Sequence, residues 1–215
     1  MYSDLISYLN QNKVQLVAVS KTQPLDKIKT VYEYGQRVFG ENRVQELLAK
    51  KDSLPADIQW HLIGHLQKNK VKYIAPFIEM IHSIDSLELA QVVSKEAIKN
   101  DRVIAVLLQV KIAIEETKYG FNEADLKAGI EEMKNLKGID IQGMMGMGTF
   151  TYDQEITLQE FKNMKRIYDD VKSAHFSDFP SFKELSIGMS GDYKLAVANQ
   201  STMVRIGSLL FRSIS

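Results

Sequence analysis

The sequence has no cysteine among its 215 residues. Disulfide scaffolds, cysteine-ligated zinc, iron–sulfur clusters and thiol nucleophiles are therefore all excluded. Proline is scarce, with 4 residues, and no segment rich in proline, glycine and serine marks a linker. We therefore expect one domain that spans residues 1–215.

The chain also lacks an excess of charge of either sign. Lysine plus arginine number 27 and aspartate plus glutamate number 27, so the formal net charge is zero. This balance gives no reason to expect nucleic acid or an anionic membrane as a partner. No apolar run approaches the roughly 18 residues of a membrane helix, and the first residues do not resemble a signal peptide. We expect a cytoplasmic protein.

Short apolar runs alternate with helical patterns along the whole chain. The first run, residues 14–20, is rich in valine and apolar on both faces, which is typical of a buried parallel strand. A helical pattern follows, with Pro24 in its first turn and Gly35 at its end. Strands are predicted at residues 14–20, 37–40, 59–64, 78–84, 103–110, 139–145, 184–187 and 202–206.

Several of the intervening helices begin with a capping signal. Asn42 is predicted to cap the second helix, with Gln45 at the capping-box spacing, and residues 85–88 show the same spacing before another helix. Asn122 is predicted to cap a third. Further helices are predicted over residues 66–74 and 192–199.

Eight strands alternating with helices predict an α/β fold with a parallel sheet. A closed (β/α)8 barrel and an open doubly wound sheet are the two arrangements to compare. The count of eight favours the barrel, which would be compact at this length. No Gly-x-Gly-x-x-Gly follows the first strand, so the open dinucleotide-binding sheet loses its main support. We predict a single (β/α)8 barrel.

Two loops of this barrel have the composition of a phosphate site. Chemistry in such barrels collects at the carboxyl ends of the strands, and phosphate often binds after strands seven and eight. Here these loops contain Gly188, Ser190 and Gly191, then Gly207 and Ser208. Glycines let backbone N–H groups approach phosphate oxygens, and serines add hydroxyl donors.

A lysine and an arginine stand at the same predicted end. Lys21 directly follows the first strand, where partial burial would lower its pKa and let it form an imine with an aldehyde. Arg205 lies in the eighth strand, either in a buried ion pair or facing a ligand. These features together suggest an aldehyde that carries a phosphate, which fits pyridoxal phosphate and also a sugar phosphate. His61 and His65 have a spacing that metal ligands use, but no third ligand is near, so we expect no metal.

Five segments carry a resemblance to a known family. They are residues 18–22 (AVSKT), 39–46 (FGENRVQE), 60–70 (WHLIGHLQKNK), 186–190 (SIGMS) and 201–207 (STMVRIG). In this order they resemble the pyridoxal-phosphate homeostasis proteins, over about residues 14–211. That family resembles the N-terminal barrel of alanine racemase, of fold type III, without its second domain.

The resemblance implies pyridoxal 5′-phosphate as the cofactor and a role for each of eight residues. Lys21 would hold the cofactor as an internal aldimine, and Arg205 would face the pyridine nitrogen. The remaining implied contacts are Ser190, Gly207 and Ser208 to the phosphate, with Asn42, His65 and Met147 lining the pocket. The chain departs from the family in a shorter first helix, in Ser208 where threonine is usual, and in Gln200 where glycine is usual.

The implied arginine favours a carrier over an enzyme. Arginine stays protonated, so a pyridine nitrogen facing it stays unprotonated and the ring is a poorer electron sink. The sequence ends at Ser215, and we expect no second domain to supply an opposing acid or base. We therefore expect a monomer that stores, delivers or buffers pyridoxal phosphate with little turnover, with apo-enzymes as recipients. The alternatives are a low-activity pyridoxal-phosphate enzyme acting on amino acids and a barrel aldolase.

Overall fold

Eight parallel strands close into a barrel in the order in which they occur along the chain. The structure is a computed structural model that describes residues 2–113 and 119–212; residue 215, where the sequence ends, lies outside these ranges. The strands are β1 Gln15–Val19, β2 Val38–Glu41, β3 Gln59–Leu62, β4 Met80–Ile84, β5 Ile104–Val110, β6 Ile139–Gly146, β7 Glu184–Met189 and β8 Met203–Ile206. The predicted (β/α)8 barrel is confirmed, and the open sheet is excluded because β1 pairs with β8.

Helices follow the strands and cover the outside of the barrel. The helices are α1 Tyr2–Gln11, α2 Leu25–Glu33, α3 Val44–Lys51, α4 Val71–Ile74, α5 Leu87–Lys99, α6 Glu123–Lys134, α7 Gln154–His175, α8 Tyr193–Ala198 and α9 Ser208–Arg212, with a short 3-10 helix at Lys68–Lys70. Among the described helices, none is both long enough and apolar enough to cross a membrane.

The strands are buried on both faces, as their composition predicts. In β1, Leu16 and Ala18 belong to the main core together with the buried face of α2, so they point outward to the helices. The alternate residues Val17 and Val19 form a separate cluster with residues of β2 and β3, inside the barrel. Successive side chains of a strand point to opposite faces, which accounts for this division.

The lumen of the barrel has an apolar layer. Met80, Leu107, Met145 and Met203 pack against each other there, and Met147 lies partly buried against them. Unbranched methionine side chains fill such an irregular interior well. Met145 therefore serves packing in the lumen.

Two helices begin one residue later than predicted. Asn42 is not the cap of α3, because Arg43 occupies that position and no side chain caps the helix. Asp85 is not the cap of α5, because Ser86 accepts the bond from the Leu89 N–H. The carboxylate of Asp85 is instead engaged by His65 across the loop. The predicted cap of α6 by Asn122 is confirmed.

Other boundaries also differ from the sequence pattern. The helix predicted over residues 66–74 is a 3-10 helix at Lys68–Lys70 followed by α4 at Val71–Ile74, and it does not include Gln67, which is extended with φ −73° and ψ 137°. β7 continues two residues beyond its predicted end, to Met189, and α9 follows β8 without having been predicted.

Four described residues other than glycine have a left-handed backbone, and two of them, Thr22 and Gln200, lie next to β1 and β8. Gln200, at the position where the family usually has glycine, has φ 65°, and Thr22 has φ 61°. A β-branched residue rarely adopts this conformation, so the contacts around Thr22 must hold it in place.

Candidate functional site

The eight residues implied by the resemblance lie at one end of the barrel. Each stands at or just beyond the carboxyl end of its strand, which is where barrels of this type carry their sites. They are Lys21 after β1, Asn42 after β2, His65 after β3, Met147 after β6, Ser190 after β7, Arg205 in β8, and Gly207 and Ser208 after β8.

The pairing of the first and last strands brings the end of β1, which precedes Lys21, beside a predicted phosphate loop. Ala18 is opposite Ile206, so Val19 is next to Gly207. A Cβ on Gly207 would lie 3.0 Å from the carbonyl oxygen of Val19, which shows how closely the two strands approach. Lys21 lies two residues beyond the end of β1, at this end of the barrel.

Lys21 itself is exposed at the mouth of the barrel. The sequence argument expects Lys21 to be partly buried, and the structure shows that this expectation is wrong. The reason is a turn after β1, closed by the bond from the Gln23 N–H to the Ser20 carbonyl, 3.0 Å, which carries Lys21 past the end of the strand. The buried residue at this point is Ser20.

The loops after β7 and β8 are joined to each other. The Leu209 N–H at the start of α9 donates to Ser190 Oγ, 3.4 Å away. Within the β7 loop, the Met189 N–H donates to Asp192, 2.5 Å. Gly188 has φ 95°, and a Cβ there would lie 2.5 Å from the Cβ of Ala196 in α8, so this turn requires glycine. The two predicted phosphate loops therefore form one connected unit.

Arg205 lies in the lumen with only 4% of its surface exposed. Its guanidinium donates to the Ser186 carbonyl at 2.8 Å, to Ser186 Oγ at 2.6 Å and to the Gly146 carbonyl at 2.9 Å. Burial lowers its pKa to about 10, although Asp192 acts in the opposite direction, so Arg205 is cationic at neutral pH. These three partners are neutral oxygens and not carboxylates, so the ion-pair interpretation of Arg205 finds no support among the described residues.

A chain of hydrogen bonds extends from Arg205 across the lumen. His82 Nδ1 lies 3.2 Å from Ser186 Oγ, and His82 Nε2 lies 2.9 Å from His61 Nδ1. Arginine can only donate, so Ser186 accepts from Arg205 and its hydroxyl proton is free to bond His82. When Ser186 donates to His82 Nδ1, His82 carries its proton on Nε2 and donates to His61.

Both histidines of this chain are buried and neutral. Burial lowers the pKa of His61 to about 3. Burial also lowers the pKa of His82, and the nearby His61 and Arg205 lower it further. A buried imidazolium beside a guanidinium would be strongly disfavoured. Sequence reasoning missed His82 and Ser186 as site residues; the available signal is that both are polar residues at inward positions of apolar strands.

His65 is held at the rim of the mouth. Its Nδ1 lies 3.1 Å from the Asp85 carboxylate, and its ring stacks on Tyr119 with the centroids 3.8 Å apart. Its partners differ from those of His61, so the two histidines do not converge on one point. No group of three or more histidine, aspartate or glutamate side chains in residues 2–113 and 119–212 could hold a metal ion. A groove of about 500 Å³ beside His65 is lined by Asn42, Arg43, Val44, Gln45, Gln67 and Lys70.

Beneath Lys21 lies a buried ionic cluster that the sequence did not reveal. Lys50 of α3 donates to Glu41 at 2.8 Å, to Glu46 at 2.7 Å and to the Ser20 carbonyl at 2.8 Å. Burial raises the pKa of Glu41, against the hydrogen bonds from Lys50 and Ser20. The i,i+4 spacing of Glu46 and Lys50 was visible in the sequence, but that spacing is common on solvated helix faces.

The donors at this end of the barrel fit pyridoxal phosphate. An amine, a connected pair of loops with serine hydroxyls and backbone N–H groups, and a buried guanidinium match an aldehyde, a phosphate and a pyridine nitrogen in turn. The excess positive charge of Arg205 inside the barrel also favours an anionic ligand.

Comparison with known proteins agrees with this geometry. Residues 2–214 match the family model described as alanine racemase, N-terminal domain. The pyridoxal phosphate homeostasis protein of Aquifex aeolicus is 38% identical over 202 residues, which cover 94% of this chain and 87% of that protein. The protein of the same name from Synechocystis is 37% identical, covering 98% of this chain and 96% of its own. The chain belongs to the pyridoxal phosphate homeostasis protein family.

Solved structures extend the likeness to the fold. PipY of Synechococcus elongatus PCC7942 without pyridoxal phosphate superposes with a TM-score of 0.89 at 35% identity, covering 98% of this chain and 100% of PipY. The same protein with pyridoxal phosphate bound has a TM-score of 0.85 at 34% identity, with the same coverage. Alanine racemase of Clostridium difficile 630, at 16% identity and a TM-score of 0.76, shares the fold over 96% of this chain and 59% of its own.

Proposed function

We propose that this protein binds pyridoxal 5′-phosphate at the mouth of its barrel and acts in the homeostasis of that cofactor by storing, delivering or buffering it. The observation that supports the proposal is the β1–β8 pairing, which brings the end of β1, two residues before Lys21, next to Gly207, while the loop after β8 bonds Ser190. Relatives named for pyridoxal phosphate homeostasis, and a PipY structure with the cofactor bound, support it.

Each proposed contact follows from the chemistry of the residue. Lys21 would hold the cofactor through its amine, which can condense with the cofactor's aldehyde and release water. Ser190, Ser208 and the backbone of Gly207 donate to the phosphate. The remaining proposed contacts are Arg205 to the pyridine nitrogen, and Asn42, His65 and Met147 along the walls of the pocket.

A carrier role follows from the state of Arg205. The bound cofactor would supply an aldehyde and an electron-withdrawing ring. Arg205 stays protonated and donates to the ring nitrogen without passing it a proton, so the ring withdraws little charge from a substrate carbon. We propose apo-enzymes that use pyridoxal phosphate as recipients and a monomer as the functional state.

The assignment of Lys21 is tested by trapping the imine. Purified protein should be yellow, and borohydride reduction followed by peptide mapping should place a pyridoxyl group on Lys21. The Lys21→Ala variant should lose this label. A label on a different lysine, or an imine retained in Lys21→Ala, would reject the assignment, and a colourless protein that takes up no pyridoxal phosphate would reject the proposed function.

The carrier role is tested by looking for carbanion chemistry. Holo-protein incubated with L-alanine or L-serine in deuterated water should show negligible exchange of the α-proton by NMR. Exchange at rates typical of enzymes, roughly 1 per second or faster, would contradict the carrier role and support a low-activity enzyme acting on amino acids.

A further inference from the structure

The turn that carries Lys21 is fixed on both of its sides. On one side, Lys50 Nζ donates to the carbonyl of Ser20, 2.8 Å away. On the other side, the Thr22 N–H donates to Glu46 Oε1 at 2.5 Å. Lys21 is therefore flanked by two residues whose backbone atoms bond directly to side chains of α3.

The backbone at this turn adopts a conformation that needs such support. Thr22 is β-branched and has φ 61°. Threonine in the left-handed region is disfavoured and persists only where surrounding contacts determine it. The hydrogen bond from the Thr22 N–H to Glu46 is the contact placed to do this.

The two α3 side chains belong to one cluster, in which Lys50 and Glu41 are buried and Glu46 is 26% exposed. Lys50 bonds Glu46 at 2.7 Å and Glu41 at 2.8 Å, and the hydroxyl of Ser20 donates to Glu41 at 2.7 Å. Glu41 is completely buried and Lys50 is 8% exposed. Buried, hydrogen-bonded ions have few alternative positions, so the cluster links the Lys21 turn rigidly to β2 and α3.

We propose that Glu46 and Lys50 are positioning residues that hold the Ser20–Thr22 backbone so that Lys21 can react with the aldehyde of a bound ligand. The inference rests on the proposed function of Lys21 and adds to it residues that touch no ligand. The hydrogen bonds described for the loops after β7 and β8 join Met189 to Asp192 and Leu209 to Ser190, and none of them reaches this cluster. Loss of the cluster should therefore impair the reaction of Lys21 and spare the binding of the phosphate.

A purely structural role for the cluster makes a different forecast. The helix α3 also packs through Val44 and Leu47, which are buried in the main core. If the cluster only stabilised α3, its loss would lower the free energy of unfolding without changing the reactivity of Lys21 in the folded protein.

The decisive variant is Glu46→Met, which removes the acceptor of the Thr22 N–H and leaves Lys50 paired with Glu41. The rate constant for imine formation between Lys21 and pyridoxal phosphate should fall on the order of 10- to 100-fold, as for a displaced reacting group. Affinity for pyridoxine 5′-phosphate, which has the same ring and phosphate but no aldehyde, should stay unchanged.

Glu46→Gln keeps an oxygen for the Thr22 N–H and should restore most of the rate of imine formation. Glu33→Met, an exposed carboxylate on α2, is the matched control.

A second measurement needs no cofactor. In the cofactor-free protein, the Thr22 amide should exchange its hydrogen with solvent faster in Glu46→Met than in the wild type or Glu46→Gln. Lys50→Met alone would leave Glu41 as an unpaired buried charge. Lys50→Met is therefore combined with Glu41→Gln in one variant. Lys51→Met, on the same helix, is the control for the loss of a lysine. The paired variant should also slow imine formation.

The proposal is overturned if Glu46→Met forms the imine at the wild-type rate, or if its affinity for pyridoxine 5′-phosphate falls in parallel with the rate. Equal Thr22 exchange in wild type and Glu46→Met would also reject it. A wild-type protein that forms no imine at Lys21 would instead reject the proposed function, and the Thr22 exchange would still report on the turn.

Discussion

Gly188 shows how a single residue shapes the phosphate side of the mouth. Its backbone has φ 95° and its α-carbon lies against α8, where an added Cβ would be 2.5 Å from Ala196. Two obstacles therefore disfavour a side chain at this position. The left-handed backbone conformation is rare for residues other than glycine, and α8 occupies the volume that a Cβ would need. Ser190, two residues on, depends on the same turn for its position.

We expect Gly188→Ala to lower the free energy of unfolding by about 2–4 kcal/mol, from the left-handed backbone together with the forced contact. Gly35→Ala is the control, since Gly35 has φ 96° with no atom within 4 Å of its Cβ position. It should cost only about 1–2 kcal/mol, from the backbone alone. Urea unfolding of both variants measures the difference, and equal losses would show that the contact with α8 relaxes freely.

The residues that sequence reasoning could place are those at strand ends. Lys21, Ser190 and Gly207 follow apolar runs directly, so the rule for parallel barrels assigns them to the mouth. His82 and Lys50 could not be placed in this way. Their roles depend on contacts with Ser186 and Ser20, distant in sequence, and periodicity carries no information about such partners.

At the level of elements, the proposed phosphate side consists of two loops joined by the bond from the Leu209 N–H to Ser190 Oγ. We expect pyridoxal, which lacks the phosphate, to bind at least on the order of 100-fold more weakly than pyridoxal phosphate, because several charge-assisted hydrogen bonds are lost. Ser190→Ala should weaken the binding of pyridoxal phosphate and leave the affinity for pyridoxal unchanged. Titrations followed by imine absorbance measure both, and equal affinity for the two compounds would contradict the placement of the phosphate.

Helix starts show why element boundaries were predicted less well than the elements themselves. Asp85 and Ser86 are both good capping residues, and the sequence does not show which one is free to cap. The side chain of Asp85 bonds His65 from another loop, so Ser86 takes the cap. A tertiary contact thus decides between two local signals of similar strength.

For the whole molecule, the buried histidines couple stability to pH. His61 has an ordinary pKa of 6.5 when unfolded and about 3 when folded, and His82 is lowered as well. Below pH 6.5 these histidines bind protons in the unfolded chain but stay neutral in the folded protein. Stability from this source is therefore complete above pH 6.5 and declines as the pH falls from 6.5 towards 3.

We expect the free energy of unfolding of the cofactor-free protein to fall by up to about 1.4 kcal/mol per pH unit for each buried histidine as the pH drops below 6. His61→Gln should remove about one histidine's share of this slope. Urea unfolding between pH 8 and 5 measures it, and the curves of the two proteins should run parallel above pH 7. An unchanged slope in His61→Gln would mean that His61 is protonated in the folded protein.

The pairing of β1 with β8 also has a consequence for the time course of biosynthesis. Lys21 leaves the ribosome early, but Arg205 and the loop after β8 are translated almost last, and the barrel closes only when both strands are present. Contacts between residues so distant in sequence form slowly. In a nascent chain, Lys21 is therefore exposed long before Arg205 and the loop after β8 have been translated. Under the proposed function, specific capture of the cofactor would have to wait for translation of β8, so an imine at Lys21 would report a closed barrel.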